Sequence, residues 1–290
     1  MDDQVPGGIY LCQVNENVSC GACCGLYNLA DPSRETLNRI LARRTMFFKT
    51  VLRDADAIEA FGRQMAAEVN GNQPFPEFHH CPYLGLVGAE QSRVGCLLHP
   101  LADGNNGANF RGLSYYGGLA CQAYFCPSCS RSPRLLKDLI RRAAADWYHY
   151  GLIITEADLL CTLYDRLRLR SDDAVEGPDL ENGKACLETA GKLLDLKITW
   201  PFQPNPLTDR VNYFFKDNLY AKPAVRYRDA AVSKSRHHEI FKSLVSTFST
   251  DEQLQQAETM IDKLLGEMAA ALFKNNANRT GQNLNQRSYQ

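Results

Sequence analysis

Hydrophobic positions recur at helical spacing in an early part of the chain, over about residues 31–71. Asp31 followed by Pro32 predicts the start of a helix, with the aspartate as its N-cap and the proline in its first turn. The apolar positions of this region are Leu37, Ile40, Leu41, Phe47, Phe48, Val51, Ile58, Phe61, Met65 and Val69. Their spacing predicts two successive helices, the second ending at an Asn-Gly pair.

A second helical region is predicted over residues 131–274, where several apolar stripes follow one another. One helix is expected to begin at Ser132 and to stop near Gly151. Ser249 and Glu252 have the spacing of a capping box at the start of the last and longest helix. The sequence therefore predicts a mainly α protein.

The segment between these regions, residues 74–130, is rich in Gly, Pro and Asn and has no sustained hydrophobic period. Something other than regular secondary structure has to fix it, and a metal site would do so. We therefore expect an irregular, cysteine-rich metal-binding module over residues 1–130, with the helical insertion at about 31–71. It is expected to pack on the helical region 131–274, and the polar tail 275–290 is expected to be disordered.

The composition argues against a disordered chain, a membrane protein and a nucleic-acid binder. The 290 residues are 44% hydrophobic with a formal net charge of −1, which is unlike a disordered chain or a nucleic-acid binder driven by bulk charge. No apolar run approaches the length of a membrane span, and the acidic first residues do not resemble a signal peptide. We predict a cytoplasmic protein with no membrane partner and no evident nucleic-acid partner. The basic helix residues are expected to be solvated: Lys137, Arg141, Arg142, Arg166, Arg168 and Arg170.

Cysteine is the residue type that points to chemistry. Of 11 cysteines, the nine that precede residue 130 are Cys12, Cys20, Cys23, Cys24, Cys81, Cys96, Cys121, Cys126 and Cys129. An odd count without an export signal argues against a disulfide framework and favours metal or redox chemistry. The remaining two, Cys161 and Cys186, lie in helical patterns and are expected to be packing residues.

Two pairs have the C-x2-C spacing that lets both sulfurs reach one ion: Cys20 with Cys23, and Cys126 with Cys129. Nine thiols exceed one tetrahedral site, so two metal sites, or one site with spare thiols, are both open. The side chains of the adjacent Cys23 and Cys24 are expected to point different ways, which favours two ions or a polynuclear cluster over one zinc. The alternative is that the cysteines are small buried hydrophobes.

Histidines offer a further set of donors. His79 and His80 precede Cys81, and His99 follows Cys96 by three residues, so one of them could serve in a mixed Cys/His site. The alternative, more common for such histidines, is that they support the ligands or lie at the surface. A distant pair, His237 and His238, is expected to lie in a solvated first turn of a helix.

The segments "CGACCG", "CPYL", "CLLHP" and "CQAYFCP" resemble the YkgJ-type cysteine-cluster family, a zinc- or iron-chelating domain. The resemblance covers about residues 17–127. By position, it implies seven ligands: Cys20, Cys23, Cys24, Cys81, Cys96, Cys121 and Cys126.

Two features depart from the family pattern. Asn17 stands where the family has its first cysteine, so either Cys12 takes that place or the site lacks one ligand. The link between Cys96 and Cys121 is long and rich in Gly and Asn, whereas the family has a shorter link with an Arg-Pro. From the residues alone, Cys129 is a further candidate ligand.

Two functions follow as hypotheses. In the first, the protein binds zinc or an iron–sulfur cluster, and the metal folds the loop-rich segment and presents a surface to a possible protein partner. In the second, it is an iron–sulfur-dependent redox or protein-modifying enzyme, since a flagellin lysine N-methylase carries a similar cysteine pattern. An exchangeable metal position left by Asn17 is the motivation for the second hypothesis.

Overall fold

The computed structural model describes residues 5–69, 73–76, 78–170, 183–206, 208–211, 222–228 and 234–273. The predicted disordered tail, residues 275–290, lies outside them. The described residues are mainly helical, as the sequence predicts. They also contain one small two-stranded sheet, which the sequence analysis does not predict. In the described part of the chain, no helix combines the length and apolar character needed to cross a membrane.

The first helical region consists of α1 (Arg34–Thr50) and α2 (Ala55–Ala67). The N-cap of α1 is Ser33, whose hydroxyl accepts from the backbone N–H of Thr36 at 3.3 Å. Asp31, the predicted cap, instead accepts from the backbone N–H of Ser33 at 3.0 Å and from the Thr36 hydroxyl at 2.5 Å. The helix therefore begins slightly later than predicted, because two polar side chains share the capping.

A short antiparallel hairpin, β1 (Leu84–Val87) and β2 (Arg93–Cys96), lies inside the segment that has no hydrophobic period. A Cβ on Gly85 would lie 2.6 Å from the Thr45 hydroxyl of α1. That hydroxyl accepts from the backbone N–H of Leu86 at 2.8 Å and donates to its carbonyl at 2.9 Å. Because the strand packs this closely on α1, it carries a glycine where a periodic pattern would need an apolar side chain.

The remaining helices run in chain order as α3 (Gly117–Ala123), α4 (Pro127–Arg131), α5 (Arg134–Ala143), α6 (Trp147–Ile154), α7 (Ala157–Arg168), α8 (Lys184–Thr199), α9 (His238–Ser243) and α10 (Asp251–Phe273). The single helix expected from Ser132 to Gly151 is two helices, α5 and α6, since Asp146 caps the second. Gly151 does not stop a helix. It admits the Tyr27 hydroxyl, which would lie 2.2 Å from an added Cβ.

The last helix, α10, has its cap one residue beyond the predicted capping box. Thr250 accepts through its hydroxyl from the backbone N–H of Gln253 at 3.3 Å. The Gln253 side chain accepts from the backbone N–H of Ser249 at 2.7 Å. The arrangement resembles a capping box, except that the Gln253 side chain accepts from Ser249 and not from the capping residue Thr250.

Two hydrophobic cores are interleaved along the sequence. One joins Ile9, Leu11 and Val18 to the C-terminal helices. The other joins α1, α2 and the hairpin to Trp147 and its neighbours on α6. Two cysteines, Cys20 and Cys126, pack against both cores.

A buried ionic cluster ties three parts of the C-terminal region together. Glu156, which precedes α7, accepts through one carboxylate oxygen from Lys197 of α8 and through the other from Lys222. The Lys222 ammonium also donates to the carbonyl of Ser243 at 2.8 Å. The side chains of Glu156 and Lys197 are 2% and 0% exposed, and that of Lys222 is 10% exposed.

Candidate metal centre

A turn near the N-terminus places Cys12 beside Cys20. The two chain segments are joined by an isolated antiparallel bridge, and the backbone N–H of Cys20 donates to the carbonyl of Cys12 at 2.8 Å. Asn17 is exposed in the intervening turn, where its backbone N–H donates to the Asn15 side chain at 2.9 Å. Cys12, rather than the residue at position 17, is thus the neighbour of the first C-x2-C pair.

The first C-x2-C pair forms a tight knuckle. Its turn, Ala22–Cys24, is a 3₁₀ helix that ends at Gly25 with a φ of 76°. A Cβ at Gly25 would lie 1.9 Å from the carbonyl oxygen of His79, so glycine is required by conformation and by space. The backbone N–H of Cys81 donates to the Cys24 carbonyl at 2.9 Å. The knuckle is therefore held directly against the chain that carries Cys81.

The second C-x2-C pair lies at the start of α4. Cys126 is the N-cap residue, and the backbone N–H of Cys129 donates to its carbonyl at 3.0 Å. The neighbouring Cys129 thiol, together with the backbone N–H groups of Ser128 and Cys129, lowers the pKa of Cys126 to about 7. This local geometry favours the thiolate form that binds metals.

Five thiols form what we term the first cysteine group: Cys12, Cys20, Cys23, Cys126 and Cys129. Burial raises the pKa of Cys12 and of Cys20, and the nearby charges of Cys23 and Cys126 raise both further. The neighbouring Cys126 sulfur is the main cause of the raised pKa of Cys129. Cys12, Cys20 and Cys129 thus lie close enough to other thiols to sense their charge, and each is neutral without an ion to stabilise its thiolate form.

Four thiols form the second cysteine group: Cys24, Cys81, Cys96 and Cys121. Burial raises the pKa of Cys81 to about 12 and that of Cys96 to about 11, and Cys121 adds to both shifts. Cys121 is the exposed member, on α3, with its sulfur 3.0 Å from the Ser114 hydroxyl oxygen. All nine candidate ligands fall into one group or the other.

The two groups meet at the Cys23–Cys24 dipeptide. The adjacent Cys23 thiol is the main cause of the raised pKa of Cys24. That the two side chains point different ways stays a prediction. Their other neighbours do differ, because Cys24 senses Cys81 and Cys96 whereas Cys23 acts on Cys12 and Cys20.

The thiols of each group lie near one another, but they are not arranged around a common metal position. Among the residues described, no three His, Cys, Asp or Glu side chains stand in an arrangement that could hold a metal ion. Binding would require cysteine side chains to turn toward a common point.

A buried lysine accompanies the first cysteine group. Lys137 is 1% exposed, and its ammonium donates to the carbonyls of Cys129 at 2.6 Å and Gly7 at 2.9 Å. It forms no ion pair with a carboxylate in the described residues, and the thiols of Cys129 and Cys126 are the negative charges that act on it. The prediction that Lys137 is solvated is wrong, because α5 turns this residue inward.

A buried arginine accompanies the second cysteine group. Arg44 is 1% exposed, and its Nη1 donates to the Cys81 carbonyl at 3.2 Å and lies 3.0 Å from Nε2 of His80. Its Nε and Nη2 atoms have no hydrogen-bond partner in the part of the chain that is described. Burial lowers the pKa of Arg44 to about 10, and Cys81 is the first of the charges that oppose this shift. Glu68 is the other, and it is already paired with Arg43.

The buried cations of Lys137 and Arg44 are suited to balance a negatively charged metal centre. An isolated buried charge is costly unless an opposite charge compensates it. Four thiolates around one divalent zinc ion leave an excess of negative charge, which a neighbouring guanidinium or ammonium would balance. The residues present therefore suit metal–thiolate centres, and neither cation was identified from the sequence, where a single basic residue on a helix gives no signal.

We expect Arg44→Met to weaken metal binding at the second cysteine group about 10–100-fold, the usual effect of removing a group that supports the ligands. The same change should stabilise the metal-free protein, because it removes a buried cation without a counter-ion. Competition with a chelator and chemical denaturation measure the two effects. Arg43→Met, at the adjacent exposed residue paired with Glu68, is the matched control. Equal metal affinity in both variants would contradict the assigned role of Arg44.

The histidines have other partners. His80 is held between the Gly25 carbonyl at 2.7 Å and Arg44, and burial lowers its pKa to about 3, so the ring is neutral. His79 stacks on Tyr115 with ring centroids 4.3 Å apart. His99 accepts through Nδ1 from the backbone N–H of Leu101 at 3.1 Å. His80 and His99 thus have hydrogen-bond partners near the second cysteine group, whereas the buried Nε2 of His79 has none among the described residues.

The distant histidine pair differs from its prediction. His237 is 2% exposed rather than solvated, and its Nε2 lies 3.2 Å from a carboxylate oxygen of Asp262. His238 lies 2.9 Å from the Tyr227 hydroxyl through Nδ1. Both belong to the packing of α9 on its neighbours.

Comparisons with family models, with curated proteins and with solved structures gave no match to this chain. The resemblance to the cysteine-cluster family stays a prediction, as does the cytoplasmic location.

Proposed function

We propose that this protein binds metal through the two cysteine groups, as zinc ions or as an iron–sulfur cluster. The observation that carries the proposal is the pairing of each group with a buried cation. Lys137 lies beside the first group and Arg44 beside the second, and within the described residues neither forms an ion pair with a carboxylate. A cation in each place is explained if the thiols carry negative charge, as they do when they bind a metal.

The number of thiols supports two centres. The second group has four thiols, the complement of one tetrahedral zinc or one cubane cluster. The first group has five thiols, one more than a tetrahedral ion binds, and the completely buried Cys129 is the candidate for the additional one. A polynuclear centre that spans the Cys23–Cys24 junction would use the same residues.

The position of the groups indicates what the metal does for the fold. Cys20 and Cys126 pack against both hydrophobic cores. Their bonds to one ion would tie the N-terminal knuckle to α4, and so the two cores to each other. A structural role of this kind follows from the general coupling of metal binding to folding.

The structure gives less support than the sequence to an enzyme with an open metal position at Asn17. Asn17 is exposed in a turn, and Cys12 lies beside Cys20. The first group thus has enough thiols without position 17, and an open metal position need not result.

Metal analysis with a visible absorption spectrum, on protein purified without oxygen, tests the proposal. Zinc without colour, or iron with acid-labile sulfide and a broad visible band, would support it and identify the centre. The control is protein denatured in chelator and refolded without metal. A folded protein that retains no metal and has all its thiols free would contradict the proposal.

A further inference from the structure

Arginine side chains from two parts of the chain gather around one carboxylate, beside the C-terminal end of α7. Arg170 donates through Nη2 to a carboxylate oxygen of Asp262 at 2.7 Å, and through Nη1 to the backbone carbonyl of Asp262 at 3.2 Å. Arg236, which precedes α9, donates through Nη2 to the other carboxylate oxygen. Arg166 donates to the backbone carbonyl of Arg236 at 2.6 Å. We term Arg166, Arg170 and Arg236 the arginine cluster.

The arginine cluster carries more positive charge than its described neighbours balance. Asp262 is shared by Arg170 and Arg236, whereas Arg166 forms no ion pair with a carboxylate among the described residues. Glu258 is the next acidic group that acts on Arg236, and it accepts from the Ser235 hydroxyl at 2.5 Å. Three guanidinium groups thus face two carboxylates in this part of the structure.

The arginine cluster also has donors that remain available. The side chains of Arg170 and Arg236 are 35% and 61% exposed. Arg166 and Arg236 use Nη2 in the bonds above, and no partner for their Nη1 atoms is found within the described residues. Because Asp262 already holds two of the guanidinium groups, an anion from solvent would bind them with little further loss of side-chain freedom.

The chemistry of the arginine cluster suits a phosphate group on a peptide. The planar donor pairs of arginine match the oxygens of a phosphate, and arginine clusters are a recurrent way of recognising phosphorylated segments. Leu169, which directly precedes Arg170, is 78% exposed and offers an apolar contact that a free phosphate ion does not need. The net charge of −1 does not favour a long polyanion such as a nucleic acid.

We propose that the arginine cluster binds a phosphorylated peptide segment of a partner protein, with Arg166 and Arg236 on the phosphate and Leu169 against an apolar side chain of the peptide. This binding does not depend on the proposed metal centres.

The test offers immobilised full-length protein a mixture of peptides that share one central phosphoserine and have random flanking residues, and mass spectrometry measures the peptides retained. The matched mixture has serine in the same place. We expect about 10-fold greater retention of the phosphoserine mixture, with apolar residues enriched at one flanking position, because each charge-assisted hydrogen bond is worth that much or more. Arg166→Gln and Arg236→Gln should lose this preference. Arg63→Gln, at an exposed arginine of α2 paired with Glu59, should keep it and is the control.

A charge-conserving variant separates recognition by the guanidinium from attraction by charge alone. Arg236→Lys keeps the positive charge but lacks the planar donor pair, so it should retain the phosphoserine mixture several-fold less well than the unmodified chain. Circular dichroism of each variant checks that the fold is intact.

Four results would overturn the inference. Equal retention of the two mixtures would exclude recognition of the phosphate, and full retention by Arg236→Lys would leave only unspecific attraction. Tighter binding of a labelled single-stranded oligonucleotide than of the retained phosphopeptides would indicate a nucleic-acid surface. Retention that appears only after Asp172 and Asp173, the next acidic residues in the sequence, are replaced by asparagine would assign the arginines to the chain's own acidic segment.

Discussion

Serine in place of Cys23 is expected to empty the first cysteine group of metal, whereas serine in place of Cys24 should empty the second. The two residues are adjacent, but Cys23 interacts with Cys12 and Cys20, and Cys24 interacts with Cys81 and Cys96. A hydroxyl is a poor ligand for an ion held by thiolates, so each change removes one of the bonds that a centre needs. Metal per chain should fall by one centre in each variant.

Alkylation under native conditions distinguishes the two losses. In Cys23→Ser, Cys12 and Cys20 should become reactive while Cys81 and Cys96 stay protected, and in Cys24→Ser the pattern should reverse. Cys161→Ser, at a half-buried thiol that bonds the Arg131 carbonyl, is the control and should leave metal content unchanged. Loss of all metal in both variants would contradict two separate centres and indicate one polynuclear centre.

The largest effect on stability is expected for Glu156→Gln, which should lower the free energy of unfolding by about 3–5 kcal/mol, the usual cost of leaving buried charge uncompensated. The carboxylate of Glu156 accepts from both Lys197 and Lys222, so its replacement leaves both lysines without an anion, and the buried Lys197 must either keep an uncompensated charge or lose its proton. Lys197→Met should have little effect, because the Glu156–Lys222 pair remains. Chemical denaturation of the three proteins measures the difference.

The stability lost in Glu156→Gln should change with pH in a defined direction. Burial lowers the pKa of Lys197 to about 7, against roughly 10.4 in an unfolded chain. Between these values the unfolded chain holds more protons, so the contribution of Lys197 to stability rises with pH. The deficit of Glu156→Gln should therefore be smaller at pH 9 than at pH 7. A deficit that grows with pH, or one equal to that of Lys197→Met, would contradict the assignment of charges in this cluster.

The helical regions could be predicted because their signals are local. Apolar spacing marks α1, α2 and the C-terminal helices, and the polar caps predicted at the starts of α1 and α10 lie within two residues of the observed ones. The break between α5 and α6 goes with the cap at Asp146. The continuation of α6 through Gly151 goes with the close approach of Tyr27, a contact that spans more than a hundred residues and that no short pattern contains. The hairpin was not predicted for a similar reason. Gly85 is explained by the close contact of its strand with α1 and not by the pattern of residues along the strand.

The cysteine set could be predicted from its spacing, but its division into two groups could not. Proximity of Cys12 to Cys20 follows from a turn, and proximity of Cys24 to Cys81 follows from a backbone hydrogen bond across a helical insertion. The buried cations gave no sequence signal. Lys137 occupies a helix that also carries exposed basic residues, and only tertiary packing shows which of them turns inward.

X-ray absorption at the metal edge of the purified protein tests most directly whether the cysteines bind metal. We expect about four sulfur neighbours per metal, at about 2.3 Å for zinc. Cys24→Ser should keep a sulfur shell while it loses metal from one centre. A shell of nitrogen and oxygen, without sulfur, would contradict the assignment of both cysteine groups as metal centres.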